Sequence, residues 1–80
     1  MDRLSVREVR ALVFLEERGP ASLLEVSRAL GIPPSTAHGM LTKLVALGLV
    51  AKTPGKQYEI TDEGRETIAE VKQLLVSVRG

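Results

Sequence analysis

The chain is 80 residues long, enough for one small core, and at this size oligomerisation is a common supplement to stability. It has no cysteine, which excludes a disulfide framework and a thiolate metal site, and its net charge of +1 by itself favours no partner. The first ten residues, MDRLSVREVR, are charged too early for a signal peptide, and no apolar run reaches membrane-spanning length; a soluble cytoplasmic protein with no membrane partner is the expectation.

In chain order, Ser5 followed three residues later by Glu8 has the pattern of a capping box, in which a hydroxyl and a carboxylate satisfy free backbone N–H groups at a helix start. The helix is expected to run to about Arg18 and to stop before Gly19-Pro20, with Val6, Val9, Leu12 and Val13 as its core face. Residues 11–15, ALVFL, are apolar almost all the way round, and a helix with two apolar sides needs two things to pack against. Phe14 therefore either caps the core from its edge or meets a second subunit. After the short link Gly19-Pro20-Ala21, Ser22 and Glu25 repeat the capping pattern, and Leu23, Val26 and Leu30 share one face. Gly31 ends this second helix, where a left-handed residue is easiest to accommodate. Pro33-Pro34 opens a third, since a proline at the first helical position loses no useful N–H. Ala37, Leu41 and Leu44 form its inner stripe with Met40 beside it, and Gly48 closes it.

Leu49 to Thr53 reads as a strand, Pro54-Gly55 as a turn, and Gln57 to Ile60 as the return strand with Tyr58 and Ile60 on one face. Lys52 and Lys56 fall near the tip of that hairpin. Thr61 caps a last helix running from Asp62 to about Val78 or Arg79, with Asp62 and Glu63 in the first turn, where the helix dipole favours acids. Ile68, Val71, Leu75 and Val78 recur at spacings of 3, 4 and 3, the pattern of a helix seam. Leu74 and Val76 add apolar surface that a partner helix would cover.

Charge is unevenly spread. Residues 26–58 carry Arg28, Lys43, Lys52 and Lys56 and no acid, whereas the segments on either side are mildly negative. A positive block of this kind suits a nucleic-acid surface, because phosphate neutralisation supplies much of the affinity there.

Two helices joined by a glycine-containing turn form the unit that carries a helix into the DNA major groove, and a hairpin directly after it is a wing. The phrases EVSRALGIPPSTAHGMLTKLVALGLVAK and YEITDEGRETI, in this order, resemble the winged helix-turn-helix transcriptional regulators, most of all the MarR group and related small archaeal regulators. The likeness covers roughly residues 5–79 and rests on Leu30-Gly31-Ile32, Ser35-Thr36, the exit Leu44…Gly48-Leu49-Val50, and Thr61-Asp62-Glu63-Gly64. It implies a mainly α (α+β) winged helix with a three-helix core, a two-stranded β-wing and a C-terminal dimerisation helix. One domain would span residues 1–80, with the helix-turn-helix at about 22–48, the wing at about 49–60 and the last helix at about 62–79. The chain departs from the pattern at Pro33, where the recognition helix usually has a Ser, Thr or Asp cap, and at Ser27, where alanine is usually buried. Gly39 is a third departure, on the exposed face, and a mid-helix glycine costs about 1 kcal/mol relative to alanine.

By that resemblance the third helix meets DNA through Pro34, Ser35, Thr36, His38, Gly39, Thr42 and Lys43. The hydroxyls suit phosphate or adaptable base contacts, and Lys43 a phosphate. Arg, Asn and Gln, the bidentate readers of guanine and adenine, are missing from this face, so modest sequence discrimination helped by DNA shape is expected. His38 is either a contact or plainly exposed. Arg28 either reaches a phosphate or stabilises the end of the second helix. Lys52, Thr53, Lys56 and Gln57 surround the wing tip, where they touch backbone or minor groove, or guard a strand edge. Tyr58 reads as wing core. A dimer interface is expected from Phe14, Ile68, Val71, Leu74, Leu75 and Val78.

No phosphate-binding loop, nucleophile elbow or ligand-spaced cluster of His and carboxylates occurs, so neither catalysis nor a cofactor or metal site is expected, and no effector pocket is legible. The reading is a sequence-preferring, double-stranded-DNA-binding transcriptional regulator acting as a homodimer. Its rivals are a winged-helix protein-interaction module, since fold does not fix function, and a non-specific, chromatin-like DNA-binding protein.

Overall fold

The structure, a computed structural model, describes residues 4–79, with side chains described as far as residue 73. Helix α1 (Val6–Arg18) starts at Ser5, whose hydroxyl accepts the Glu8 N–H at 3.2 Å while the Glu8 carboxylate accepts the Ser5 N–H at 2.8 Å. Helix α2 (Leu23–Leu30) starts in the same way at Ser22 and Glu25. Gly31 then takes a φ of +68°, a left-handed conformation that only a residue without Cβ enters at no steric cost, and the chain turns into α3 (Pro34–Ala46). Pro33 stands at the N-cap of α3 and makes no side-chain hydrogen bond. The buried Ser27 fastens this turn: its hydroxyl donates to the Ile32 carbonyl at 2.8 Å, and its carbonyl accepts the Ile32 N–H at 3.1 Å. The departure from alanine at that position therefore adds a satisfied bond rather than an orphan.

Strands β1 (Val50–Lys52) and β2 (Tyr58–Ile60) pair antiparallel, Val50 opposite Ile60 and Lys52 opposite Tyr58. Ala21, in the link before α2, exchanges two backbone hydrogen bonds with Tyr58, at 3.0 and 2.7 Å, and so joins the hairpin as a one-residue third strand. The expected turn closes where Thr53 N–H donates to the Gln57 carbonyl at 2.7 Å and Lys56 N–H to the Thr53 carbonyl at 3.0 Å. The left-handed residue is Lys56, with φ +62°, rather than Gly55. A three-residue hairpin loop places its left-handed position last, whatever side chain stands there.

Helix α4 (Asp62–Arg79) follows and packs on α1 and β2. Its start is tightly fitted. The Thr61 hydroxyl donates to the Gly48 carbonyl at 2.7 Å and accepts the Gly64 N–H at 3.1 Å, and the Thr61 N–H donates to the Leu49 carbonyl at 3.1 Å. Gly64 lies so close to the Leu49 carbonyl and the Ile60 side chain that a Cβ would collide with both. These elements are those of the winged helix expected from the sequence.

Two expectations about packing are corrected. The buried side of α1 is Glu8, Ala11, Leu12 and Leu15, whereas Val6 is 78% exposed and Val9 and Val13 are only half-buried. Both stripes have helical spacing; the one that buries two leucines removes more apolar area from water and prevails. Ile68, expected at a dimer seam, is 1% exposed and belongs to the chain's own core with Leu12, Leu15, Val26, Leu41 and Leu44. The first turns of α4 are consumed in covering that core. Val71 is half-buried, and the side chains of Leu74, Leu75 and Val78 lie outside the described residues.

Candidate nucleic-acid interface

Helix α3 is anchored by Ala37, Met40, Leu41 and Leu44. Its remaining positions follow from that stripe: Pro34, Ser35, His38, Gly39, Thr42 and Lys43 are exposed and Thr36 is half-buried. Ser35, Gly39 and Lys43 succeed one another at four-residue steps and form one row along the helix. Among the described residues, no side-chain hydrogen bond engages Ser35, Thr36, His38 or Thr42. Their donors and acceptors are uncommitted. Nothing lies within 4 Å of the point where a Gly39 Cβ would stand, so the chain's own packing does not require a glycine there.

Beside this helix, Arg28 is exposed in the last turn of α2. On the wing Lys52, Lys56 and Gln57 are exposed, and the Lys52 ammonium lies 5.6 Å from the centroid of the buried Tyr58 ring. Tyr58 is wing core, as its alternation predicts. Thr53 is half-buried and its hydroxyl accepts the Gln57 N–H at 3.2 Å, which commits it to building the turn. Among the described residues Arg28, Lys52 and Lys56 make no ion pair.

Lys43 differs. Its ammonium is 2.9 Å from a carboxylate oxygen of Glu8. Burial on its own pushes the Glu8 carboxyl up, but the Ser5 N–H and the Lys43 ammonium outweigh it and hold the group below the usual carboxylate range. The charge count over residues 26–58 could not show this acid, because the fold brings it in from α1. The one signal for it in the sequence is that Glu8 heads the stripe continued by Ala11, Leu12 and Leu15.

On the far side of α1, Val9, Val13 and Phe14 with Leu30 line an open groove of about 300 Å³, flanked by Arg10 and Glu17. The second apolar side of this helix therefore exists and is only partly covered. Among the described residues no group of His, Cys, Asp and Glu could hold a metal ion, and no helix is long and apolar enough to cross a membrane.

Residues 7–54 match the IclR helix-turn-helix domain family, a span from α1 into the wing turn. Over 88 residues the chain is 34% identical to the LexA repressor of Bacillus pumilus (strain SAFR-032), with 100% of this chain and 43% of that repressor aligned. In three dimensions it is similar to a MarR family transcriptional regulator from Streptomyces coelicolor, with a TM-score of 0.85, 30% identity, and coverage of 95% of this chain and 57% of that one. It is equally similar to the transcriptional repressor CouR bound to p-coumaroyl-CoA, with a TM-score of 0.85, 28% identity, and coverage of 92% and 54%. The chain thus spans less than half the length of the LexA repressor and just over half that of these solved regulators. The resemblance to winged helix-turn-helix regulators is borne out, with the sequence match falling in the IclR group and the structural likeness in the MarR group.

Proposed function

The chain belongs to the IclR helix-turn-helix domain family, DNA-binding domains of transcriptional regulators, and on that premise we propose that it binds double-stranded DNA as a homodimer with a preference for certain sequences. Helix α3 of each subunit enters a major groove and the wing lies along the adjoining backbone. The observation that carries this reading is the outward face of α3, whose Ser35, Thr36, His38 and Thr42 have no side-chain hydrogen-bond partner among the described residues, together with the cations Arg28, Lys52 and Lys56, which make no ion pair among those residues. The hydroxyls and backbone near the start of α3 position the helix on phosphates; with no Arg, Asn or Gln on the face, sequence preference comes from few base contacts and from DNA shape. Regulation is occlusion of a promoter, in the cytoplasm and without a catalytic step, by a single winged-helix domain across residues 1–80.

The homodimer reading is supported by the partly covered apolar side of α1, at Val13 and Phe14, and by the apolar run Val71, Leu74, Leu75 and Val78 along α4. Symmetric pairing through these helices would set the spacing of two half-sites. Leu75→Glu is expected to give a monomer in sedimentation; a variant that stays dimeric moves the interface elsewhere.

The test of DNA binding is affinity for a random-sequence duplex and for the protein's own promoter DNA across a salt series. Tighter promoter binding that weakens steeply with salt is expected. Changing Lys52 and Lys56 together to alanine is expected to weaken both complexes alike and to lower the log–log salt slope by roughly 1.8, about 0.9 for each phosphate no longer neutralised. An unchanged slope would remove the wing from the interface. Equal affinity for both duplexes would favour chromatin-like coating, and no binding by a folded dimer would favour a protein-interaction module.

A further inference from the structure

Two anions have a claim on Lys43. It stands on the α3 row with Ser35 and Gly39, the face proposed to meet DNA, and its side chain is 47% exposed. Its ammonium is nevertheless already 2.9 Å from Glu8, whose side chain is 9% exposed. That carboxylate is held from both ends. One oxygen accepts the Ser5 N–H at 2.8 Å and the other receives Lys43, so the α1 cap itself fixes where the acid sits. We propose that Glu8 is an internal competitor for the DNA phosphate at Lys43, occupying the ammonium in the free protein and so lowering the affinity of the recognition helix for the DNA backbone.

The inference rests on the DNA-binding reading and adds to it the residue that limits its strength. A carboxylate and a phosphodiester are both oxyanions, and either makes a charge-assisted hydrogen bond to one ammonium. An ammonium neutralised within the protein displaces fewer counterions from the duplex, so it contributes less to affinity and to its salt dependence. The cap does not need the charge, because glutamine completes a capping box as glutamate does. What the charge adds is its hold on Lys43, the only lysine or arginine of α3. Arg28, Lys52 and Lys56 have no such restraint among the described residues.

Glu8→Gln keeps the size of the side chain and the cap while removing the charge. Its affinity for a random-sequence duplex is measured by fluorescence anisotropy across a salt series, beside wild type, Lys43→Ala, the double variant, and Glu66→Gln as a control for net charge on the exposed side of α4. Glu8→Gln is expected to bind roughly fivefold tighter at low salt, with a log–log slope steeper by about 0.9. The gain should shrink as salt rises, vanish in the Lys43→Ala background and be absent from Glu66→Gln. If wild type binds and Glu8→Gln binds equally or more weakly, the proposal is overturned, the weaker case meaning that Glu8 aims Lys43 at DNA. A gain that survives the loss of Lys43 overturns it as well. Absence of binding by every folded variant at low salt overturns the DNA-binding reading and this one together. Glu8→Ala, which gives up the reach-back bond but keeps helix propensity, is measured in parallel, so that a misfolded glutamine variant still leaves a comparison to read.

Discussion

The junction from β2 into α4 and the outward face of α3 are opposite in character. At the junction the Thr61 hydroxyl, the Thr61 N–H and the Gly48 carbonyl all find partners, and Gly64 leaves no room for a methyl group. On α3, four polar side chains have no hydrogen-bond partner among the described residues, and Gly39 faces open space. The first region is closed by the chain itself. The second is left open to solvent, and that contrast separates residues committed to the fold from residues free to meet a partner.

Gly64 offers the strongest way to break the contrast. Gly64→Ala sets a methyl against a backbone carbonyl that cannot rotate away, and is expected to cost about 2–3 kcal/mol. Thermal unfolding should register this as a fall in Tm of roughly 10 °C or more for a domain of this size. DNA affinity of the remaining folded protein should be unchanged. Gly39→Ala is the counterpart. It should raise stability by about 1 kcal/mol, because the methyl meets nothing in the fold and alanine is the better helix former. It should also weaken DNA binding, since the added group would stand on the face proposed to approach the duplex. A variant both more stable and equally tight would show that the α3 backbone stays clear of DNA at that point.

The smallest expected effect is on acid stability. Glu25, held by the Ser22 N–H and by Arg18, lies below the usual carboxylate range, as does Glu8, where the Ser5 N–H and Lys43 outweigh burial. For both, the folded chain gives up its proton more readily than the unfolded chain. Their contribution is therefore complete above the ordinary carboxylate range and is lost as pH falls through the lowered values. On acidification the Tm of Glu8→Gln should fall less than that of wild type.

Local chemistry explains which of these features could be read in advance. Both capping boxes, the Gly31 turn, the hairpin alternation and the inner stripe of α3 are set by neighbours in sequence, and each stands where it was expected. The outward residues of α3 followed as the complement of that stripe. The core face of α1 did not, because two stripes have helical spacing and only contact with other elements chooses between them. Ile68 was misplaced for the same reason: a seam and a core face share one period. The Pro54-Gly55 signal located a turn without saying that Lys56 would be its left-handed residue, which depends on how the strands close. Glu8 beside Lys43 was invisible because the two meet only through the packed fold.

The bond pair between Ala21 and Tyr58 braces the wing at the tip end of its ladder, where Tyr58 faces Lys52 and the turn begins. Residues inserted between Thr53 and Lys56 would therefore lengthen the wing's reach without re-aiming it. A foreign wing transplanted onto this scaffold would have to bring a matching strand partner for Ala21, or it would hang from a hinge.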